Sequence, residues 1–363
     1  MKIICTQENL KNGLSATTKI ITSNNTLPIL NNVLMKTENG QLKIYSTNLE
    51  MAVSAKVRCK IESEGQVTIQ AKTFQDLVNN LTGENIEIHF VENELCIKTE
   101  NQEFKLKTLP AEEFPMVPES TKVPNINLDS GGLKQALLQA VFAVSLNQTQ
   151  PEISGVFVSS VDSGQVAVVA TDRYRLVERK FAGPEFPSII IPQKAVLEII
   201  RILSGFSGQV GVVVEENQIF FYIGEVLLIS RLVEGQYPDY KSIFPETFVS
   251  QIVVNKTKLQ NALKTTALLS QATNSVKLDF SLEKKRITLS SQSEGLGSGS
   301  ADLECEVKGG SGSLLLNYKY VLDFLSQVET ERVEIKINND SSPAVFCPMG
   351  SNEYNYLVMP IKI

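Results

Sequence analysis

The segment PQKAVLEIIRIL, residues 192–203, spaces its apolar side chains as an amphipathic helix does. Lys194 precedes Glu198 by one helical turn, and apolar residues stand two and five positions after the lysine. The same order recurs in AKTFQDLVNNL (71–81) and NYKYVLDFLSQV (317–328). The equivalent lysines are 122 and 125 positions apart: Lys72, Lys194 and Lys319. The spacing predicts three copies of one unit.

A second helical pattern repeats in step with the first. It occurs in QENLKNGLSATTKII (7–21), SGGLKQALLQAVFAVS (130–145) and NKTKLQNALKTTALLS (255–270). Two independent landmarks at one period are hard to obtain by chance, and one third of 363 residues is 121. We therefore predict three domains that meet in polar, proline-containing segments: 1–121, 122–246 and 247–363.

The remainder of each unit alternates apolar and polar residues, with Gly, Asn and Asp between the runs. This pattern is typical of short antiparallel strands joined by turns. Each unit is then two helices packed on antiparallel sheet, an α+β fold. GLGSGS (295–300) is predicted as a flexible hairpin tip, because it lacks the final glycine and the following helix of a phosphate-binding loop. GGSGS (309–313) is predicted as a linker or turn.

The residue types give no positive indication of catalysis. There is one histidine, His89, and the five cysteines are scattered without a CxxC pair. This argues against a catalytic triad, a metal site and a disulfide framework. We predict no catalytic residue, no metal and no cofactor. No apolar run approaches the roughly 20 residues of a membrane span, and the first ten residues become polar too soon for a secretory signal, so a cytoplasmic protein is expected.

The net charge of −6, taken alone, argues against a basic nucleic-acid-binding surface. The six helical segments together carry +6, which leaves −12 (−6 − 6) on the rest of the chain. One interpretation is a chance partition of solvated charges. The other places the basic helices on one surface, against a polyanion. The charges by themselves leave both interpretations open.

The segment VATDRYRLVERKF, residues 169–181, is patterned as a strand and yet carries three arginines. Considered alone, Arg173, Arg175 and Arg179 either decorate a strand or bind a partner. Decoration of a strand is the more common outcome for such residues.

Five segments, in order along the chain, carry a family resemblance: TLPILNNVLMKTENGQLKIYSTNLEMAV (26–53), VATDRYRLVE (169–178), LVEGQYPDYKSIFP (232–245), LNYKYVLDFL (316–325) and YLVMPIKI (356–363). From end to end the chain resembles the bacterial DNA polymerase III beta subunit, the replication sliding clamp. The resemblance implies a head-to-tail homodimer in which six clamp domains form a ring, with the helices lining a hole for duplex DNA.

The resemblance also implies a function and partners. The chain is expected to be a non-catalytic processivity factor of the DNA polymerase III holoenzyme that encircles double-stranded DNA without sequence preference. Short linear motifs of the replicative polymerase, the clamp loader, other polymerases and repair proteins are expected to bind a groove, and no membrane partner is expected. An enzyme with an unrecognised site and a non-replicative peptide-binding scaffold are the alternatives.

Three sets of site residues are predicted: a peptide groove matched residue by residue to the family, DNA-facing residues taken mainly from the basic helices, and a dimer interface proposed for the implied ring. The peptide groove comprises Ile153, Thr171, Tyr174, Arg175, Leu176, Pro238, Ser242, Ile243, Asn317, Tyr320, Ser341, Pro343, Leu357, Met359, Pro360, Ile361 and Lys362. The DNA-facing set comprises Asn24, Lys72, Asn147, Lys194, Arg201, Lys256 and Lys258. The dimer interface comprises Phe104, Lys105, Leu268 and Leu269, with Lys98, Lys105 and Lys107 expected near Asp302, Glu304 and Glu306 of the other copy.

The sequence departs from the family pattern at several of these positions. Many relatives have Gly and His where Arg173 and Tyr174 stand, so the groove is bulkier here. The stretch SNNT (23–26) lacks an arginine that the family often has, and Pro151 and Glu152 replace tyrosines of some relatives.

Overall fold

The structure is a computed structural model that describes residues 1–21, 27–147, 149–162, 164–270 and 273–362. It divides into two compact units. Compact unit 1 contains residues 1–134 and 194–232, and compact unit 2 contains residues 135–193 and 233–363. No helix in the described ranges is long and apolar enough to cross a bilayer.

Six α-helices lie in the described ranges, two in each sequence repeat: α1 Gln7–Thr17, α2 Ala71–Asn80, α3 Ser130–Val141, α4 Gln193–Leu203, α5 Lys256–Ala267 and α6 Tyr318–Gln327. The periodicity prediction is confirmed. Thr6, Asn255 and Asn317 cap α1, α5 and α6, because their side-chain oxygens accept backbone N–H groups two or three residues further on. Within the compact units, α1 packs against α2 and α5 packs against α6.

The strands of the described ranges pair antiparallel, as the alternating pattern predicts. Their bounds are β1 Lys2–Thr6, β2 Asn32–Glu38, β3 Gln41–Thr47, β4 Met51–Val57, β5 Cys59–Ser63, β6 Gln66–Gln70, β7 Asn85–Val91, β8 Glu94–Lys98, β9 Glu103–Lys107, β10 Ile126–Asp129, β11 Gly155–Asp162, β12 Gln165–Thr171, β13 Arg175–Ala182, β14 Ile189–Pro192, β15 Gln209–Val214, β16 Gln218–Ile223, β17 Val226–Arg231, β18 Ser250–Asn255, β19 Ser275–Ser281, β20 Arg286–Ser293, β21 Gly297–Glu304, β22 Glu306–Gly309, β23 Gly312–Asn317, β24 Arg332–Ile337, β25 Ala344–Pro348 and β26 Tyr354–Val358.

Compact unit 1 contains two sheets with the α1–α2 pair between them. One sheet has the strand order β5-β1-β7-β8-β9, and the other has the order β10-β15-β16-β17-β4-β3-β2-β6. Leu10 and Leu14 of α1 and Phe74 of α2 are fully buried in one cluster with Ile88 of the first sheet and Ile44 of the second. Removing this apolar area from water is the main force that holds the two layers together.

Compact unit 2 contains a nine-stranded sheet of order β14-β11-β12-β13-β26-β25-β24-β18-β22 and a four-stranded sheet of order β21-β20-β19-β23. Phe324 of α6 lies on the larger sheet and stacks on Tyr356, with ring centroids 5.3 Å apart. Phe346 and Tyr354 pack around the same ring. This aromatic group fixes α6 against the strand that ends the chain.

Strands of successive repeats share sheets, which the sequence analysis did not predict. In the eight-stranded sheet, β4 of the first repeat pairs with β17 of the second, and Ala52 lies opposite Ile229. In the nine-stranded sheet, β13 of the second repeat pairs with β26 of the third, and Leu176 lies opposite Leu357. We call these pairings the first junction and the second junction. The compact units therefore follow the sheets.

The two glycine-rich segments each lie partly in strands. In GGSGS, residues 310–311 connect β22 to β23, whereas Gly309 belongs to β22 and Gly312 and Ser313 belong to β23. The GLGSGS segment is wrongly placed as a hairpin tip throughout, since the turn occupies residues 294–296 and strand β21 starts at Gly297. In β21, Ser298 and Ser300 pair with Gln292 and Ser290 of β20. The high glycine content of the segment did not indicate this strand.

Arg201 connects α4 to the carboxyl end of α1 within compact unit 1. Its Nη2 donates to the carbonyl oxygen of Ala16 at 2.7 Å, and its Nη1 donates to that of Ser15 at 3.3 Å. The same guanidinium pairs with the carboxylate of Glu198, at 2.6 Å from Nη2 to Oε1. A cation at the carboxyl end of a helix satisfies carbonyl groups that have no partner inside that helix.

We predict that Arg201→Gln lowers the free energy of unfolding by about 1–3 kcal/mol, because it leaves the buried Glu198 carboxylate without its cation. Lys194→Gln on the same helix is the matched control. Its ammonium is exposed and lies 3.8 Å from Glu50, so its loss should cost no more than about 1 kcal/mol. Urea unfolding followed by circular dichroism measures both, and equal midpoints for the two variants would contradict this role of Arg201.

Candidate functional site

The C-terminal segment enters the middle of the nine-stranded sheet. Strand β26 lies between β13 and β25, and beyond it the backbone N–H of Met359 donates to the carbonyl of Tyr174 at 2.8 Å. The N–H of Ile361 donates to the carbonyl of Leu315, also at 2.8 Å. β26 is an interior strand of the sheet and ends at Val358, two residues before Pro360. Proline has no N–H to donate to a neighbouring strand, so it lies beyond the paired residues.

The turn between β12 and β13 is held by the side chains of Thr171 and Asp172. Thr171 Oγ1 accepts the N–H of Arg173 at 3.1 Å and donates to the carbonyl of Arg175 at 2.7 Å. Asp172 Oδ1 accepts the N–H groups of Tyr174 and Arg175, each at 3.0 Å. Arg173 has a φ of +77°, a left-handed conformation that favours glycine. The turn leaves Tyr174 63% exposed beside the terminus.

An apolar cluster lies beneath this turn in compact unit 2. It brings together four of the predicted groove residues: Ile153, Leu176, Leu357 and, partly buried at its edge, Met359. Tyr237 and Tyr240 belong to the same cluster and were missed as site residues, although both stand in the QYPDY motif. Tyr237 stacks on Phe157 at 4.7 Å, and burial raises the pKa of its hydroxyl. The cluster forms the apolar base of the site and is not a reactive centre.

Arg175 is the charged residue at the centre of the site. Its Nε donates to Asp172 Oδ2 at 2.9 Å, its Nη1 pairs with Asp323, and its Nη2 donates to the carbonyl of Phe142 at 2.8 Å. Its guanidinium also lies 4.5 Å from the ring centroid of Tyr320. Burial alone would lower the pKa of Arg175, but Tyr356, Asp323 and Asp172 raise it, so the residue stays a cation.

These contacts give Arg175 a structural role that the sequence did not indicate. Its donors point to groups of the same chain, so the guanidinium ties the β12–β13 turn to α6, which carries Tyr320 and Asp323. Planar, multiple hydrogen bonding of this kind is specific to arginine. The ring of Tyr320 is thereby held over one side of the second junction.

A cavity of about 390 Å³ lies next to the apolar cluster, on the same compact unit. Val345 and Phe244 line it and also contribute to the cluster. Three of its lining residues are lysines that the sequence analysis did not assign to a site: Lys180, Lys241 and Lys336. We call the turn, the apolar cluster, Tyr320 and this cavity the second-junction surface.

Most of the other predicted groove residues lie at the protein surface. Pro238, Ser242, Ile243, Ser341, Ile361 and Lys362 are exposed, and Pro343 is partly buried. The side chain of Asn317 caps α6, and that of Ser341 donates to Asn339 Oδ1 at 3.0 Å. No described contact joins Ser242, Ser341 or Lys362 to the apolar cluster, so their place in the site stays a prediction.

The predicted DNA-facing residues differ in how free their side chains are. Lys72, Lys194 and Lys258 are exposed. Lys256 Nζ donates to the carbonyl of Val328 at 2.7 Å, and Arg201 is held by Glu198 and α1 as described above. Asn147 is exposed, and its Oδ1 accepts from Thr149. Asn24 lies outside the described residues.

The predicted dimer residues lie at or near sheet edges. Phe104, 38% exposed, and Lys105 are on β9, the last strand of the five-stranded sheet. Leu268, 60% exposed, follows α5 directly. Leu269 faces Gly299 of β21, which is the last strand of the four-stranded sheet. Asp302 on β21 pairs with Arg286 at 3.0 Å. Both edge strands thus have one unpaired side among the described residues.

No group of three His, Cys, Asp or Glu side chains in the described ranges is arranged to hold a metal ion.

Three repeats, each with a pair of helices, that share antiparallel sheets are typical of the DNA-clamp class of proteins. Three family profiles of the DNA polymerase III beta subunit match the chain, the N-terminal domain at residues 1–118, the central domain at 127–239 and the C-terminal domain at 241–362. The chain belongs to the DNA polymerase III beta subunit family.

Known proteins agree with this membership. The chain is 27% identical to the beta sliding clamp of Synechocystis sp. over 392 residues, covering 100% of both chains. A structure of the Pseudomonas aeruginosa DNA polymerase sliding clamp with ligand is 27% identical, with a TM-score of 0.94 and 100% coverage of both chains. A P. aeruginosa clamp bound to griselimycin is 27% identical with a TM-score of 0.92, again over 100% of both.

Family membership confirms the function expected from the resemblance. The chain is a sliding clamp of DNA replication that tethers the polymerase, and it is a processivity factor without catalysis of its own. The three repeats found in the sequence are its clamp domains.

We predict that Arg175→Ala lowers the free energy of unfolding by about 2–3 kcal/mol, because Asp172 and Asp323 lose their shared cation. Arg173→Gly is the matched control in the same turn. It relieves a left-handed residue while adding freedom to the unfolded chain, so its net effect should stay within about 1 kcal/mol. Thermal unfolding of both variants tests this, and an Arg175→Ala protein as stable as the parent would rule out the tying role.

Proposed function

We propose that two copies of the chain join head to tail into a closed ring of six clamp domains around duplex DNA. The domains are 1–121, 122–246 and 247–363. The observation that carries the proposal is the threefold repeat within one chain of a clamp family. A head-to-tail contact that closes gives a ring, whereas one that does not close gives a filament.

The free edges of β9 and β21 support this assembly. Pairing of β9 in one copy with β21 in the other would satisfy backbone groups that are otherwise exposed at two sheet edges. Lys105 and Lys107 on β9 complement Asp302 and Glu304 on β21. Leu268 supplies exposed apolar surface beside this edge, and Phe104 is its proposed counterpart.

DNA would be held by exposed cations on the helices, without base contacts. Lys72 and Lys258 have exposed ammonium groups suited to phosphate, and the exposed ammonium of Lys194 lies 3.8 Å from Glu50. Arg201 and Lys256 donate hydrogen bonds to their own chain. Phosphate contacts position a protein without reading sequence, which a ring that slides requires. Retention on DNA then depends on closure of the ring more than on affinity.

The second-junction surface is the proposed docking site for short linear motifs. Extended peptides bind where a few apolar pockets are bordered by polar groups, and the tyrosine-rich cluster, Met359 and Tyr174 provide such a place. Of the lysines around the neighbouring cavity, Lys180 pairs with Glu178 and Lys336 pairs with Glu334. The exposed Lys241 is the one that favours an acidic residue next to the motif. The replicative polymerase, the clamp loader, other polymerases and repair proteins are the proposed partners, in the cytoplasm. The five cysteines are free, which agrees with a reducing compartment.

The ring is tested by retention on DNA. We predict that the protein, after loading by its clamp loader, stays on a nicked circular plasmid and leaves once the plasmid is cut. Leu268→Lys should abolish retention and give monomers in sedimentation, because the charge enters the proposed contact. Val123→Lys, at a residue exposed outside that contact, should behave as the parent. Equal loss from circular and linear DNA would refute encirclement.

The docking site is tested by removing its terminal segment. We predict that deletion of residues 359–363 weakens binding of a motif peptide from the organism's own replicative polymerase by at least about 30-fold, as loss of a binding hot spot does. Dimerisation and retention on circular DNA should persist. Tyr174→Ala, which disturbs no buried contact, should weaken the same peptide less. Calorimetry that finds unchanged affinity for the truncated protein would show that the site is misplaced.

A further inference from the structure

The turn of the second junction has a counterpart at the first junction, with the same hydrogen bonds. Thr47 Oγ1 accepts the N–H of Leu49 at 3.1 Å and donates to the carbonyl of Met51 at 3.0 Å. Asn48 Oδ1 accepts the N–H groups of Glu50 at 3.1 Å and Met51 at 2.9 Å. Leu49 has a φ of +73°, as Arg173 has +77° in the other turn. The two turns are the same structure built twice.

The strand that closes each turn also repeats. At the first junction the N–H of Arg231 donates to the carbonyl of Glu50 at 3.0 Å. At the second junction the N–H of Met359 donates to the carbonyl of Tyr174 at 2.8 Å. Arg231 therefore occupies the place of Met359 in the proposed docking site. Near each junction the chain has a buried aromatic residue followed by proline, Phe114-Pro115 at the first and Tyr237-Pro238 at the second.

A cavity of about 230 Å³ lies at this place within compact unit 1. Its lining includes Thr47, Leu49, Met51, Met116, Ile229 and Arg231. Met116 is 95% exposed and Leu49 is 49% exposed, so apolar groups at the rim face water. Exposed apolar side chains grouped around a concave surface are typical of a binding site. We call this cavity and its rim the first-junction cleft.

The charges distinguish the first-junction cleft from the second-junction surface. The buried cation Arg175 is replaced by Met51, and its partner Asp172 is replaced by Asn48. Two charged residues line the cleft, Glu50 and Arg231. Glu50 has Lys194 nearby at 3.8 Å, whereas Arg231 is exposed and has no ion-pair partner among the described residues. The cleft thus presents an apolar interior and one available cation.

We propose that the first-junction cleft is a second docking site on each chain, which binds an extended segment of a partner protein. The segment has an aliphatic or aromatic anchor that enters beside Met51 and Met116, followed by a carboxylate that pairs with Arg231. Backbone geometry repeated from the other junction orients the chain of the partner, and the lone guanidinium selects acidic over basic sequences. This site goes beyond the docking function proposed above and does not require it.

Methionine methyl groups provide a direct test, because the chain has six methionines. Met51 and Met116 report the first-junction cleft, Met359 reports the second-junction surface, and Met1 and Met35 serve as internal references. The intact protein, labelled with ¹³C at its methionine methyls, is titrated with the peptide acetyl-Ser-Leu-Phe-Asp-Asp-amide. A matched peptide with two lysines in place of the aspartates is the control. The same titrations are repeated on the protein that lacks residues 359–363.

The proposal predicts that the acidic peptide shifts the Met51 and Met116 signals in both the intact and the truncated protein. Arg231→Glu should weaken this binding about tenfold and reverse the preference toward the lysine peptide. Arg58→Glu, the same charge change at another exposed arginine of compact unit 1, should leave it unchanged. Unshifted melting temperatures establish that both variants are folded.

Two results would overturn the proposal. One is that Met51 and Met116 do not respond at millimolar peptide. The other is that the Met51 and Met116 signals shift equally with the acidic and the lysine peptide, and that Arg231→Glu leaves the binding of both peptides unchanged. If Met359 alone shifts, the first-junction cleft is refuted while the docking site at the second junction stands. If Met51 and Met116 shift while Met359 does not, the further site is supported and the proposed docking site is not.

Discussion

Antiparallel pairing between strands of successive repeats is the constraint on which the rest of this molecule depends. The last strand of the second repeat, β17, pairs with β4 of the first repeat. The last strand of the third repeat, β26, pairs with β13 of the second repeat. Because each of these two pairings satisfies backbone groups along five residue pairs, the sheets cannot end at a domain boundary. The eight-stranded sheet and the nine-stranded sheet each continue from one repeat into the next for this reason.

The same constraint places binding surfaces at the junctions. A strand that leaves its sheet beside a tight turn creates a step in the surface, and the turn is fixed by Thr with Asn or Asp at both junctions. The two junctions differ in the side chains that lie beside the turn. The second junction has the Arg175 network and a tyrosine-rich apolar cluster. The first has Met51 and Arg231, and Arg231 has no ion-pair partner among the described residues. One backbone design thus carries two chemically distinct surfaces, and specificity lies in the side chains.

Most of the fold could be predicted from the sequence, because the helical spacing of apolar residues and the repeat of about 120 residues can both be read from the order of the residues. All six helices were placed within a few residues, although α3 ends at Val141 while the apolar pattern continues to Ser145. A pattern of apolar spacing does not show where the chain leaves the helix. Sheet sharing between repeats could not be predicted, since strand partners are chosen by contacts more than 100 residues apart, as between Leu176 and Leu357.

The site was predicted in part. The apolar residues Ile153, Leu176 and Leu357 were identified through resemblance, and they do meet. The contacts of Arg175 with Asp323 and Phe142 were not predicted, because both residues are distant from it in the sequence and belong to no motif that indicates such a contact. For the same reason the contacts of Arg201 with the end of α1 were not predicted, and its place among the DNA-facing residues stays a prediction. Long-range polar contacts leave no local pattern.

Hydrogen exchange of the intact chain tests the central role of the junctions most directly. If the pairings unite successive repeats, amides of β26 and β17 should be as protected as those of β12 and β3 inside one repeat, within about tenfold, and should exchange only on global opening of their compact unit. Exchange of β26 and β17 that is much faster than that of β12 and β3 would show that the repeats separate at the junctions, and would contradict the account.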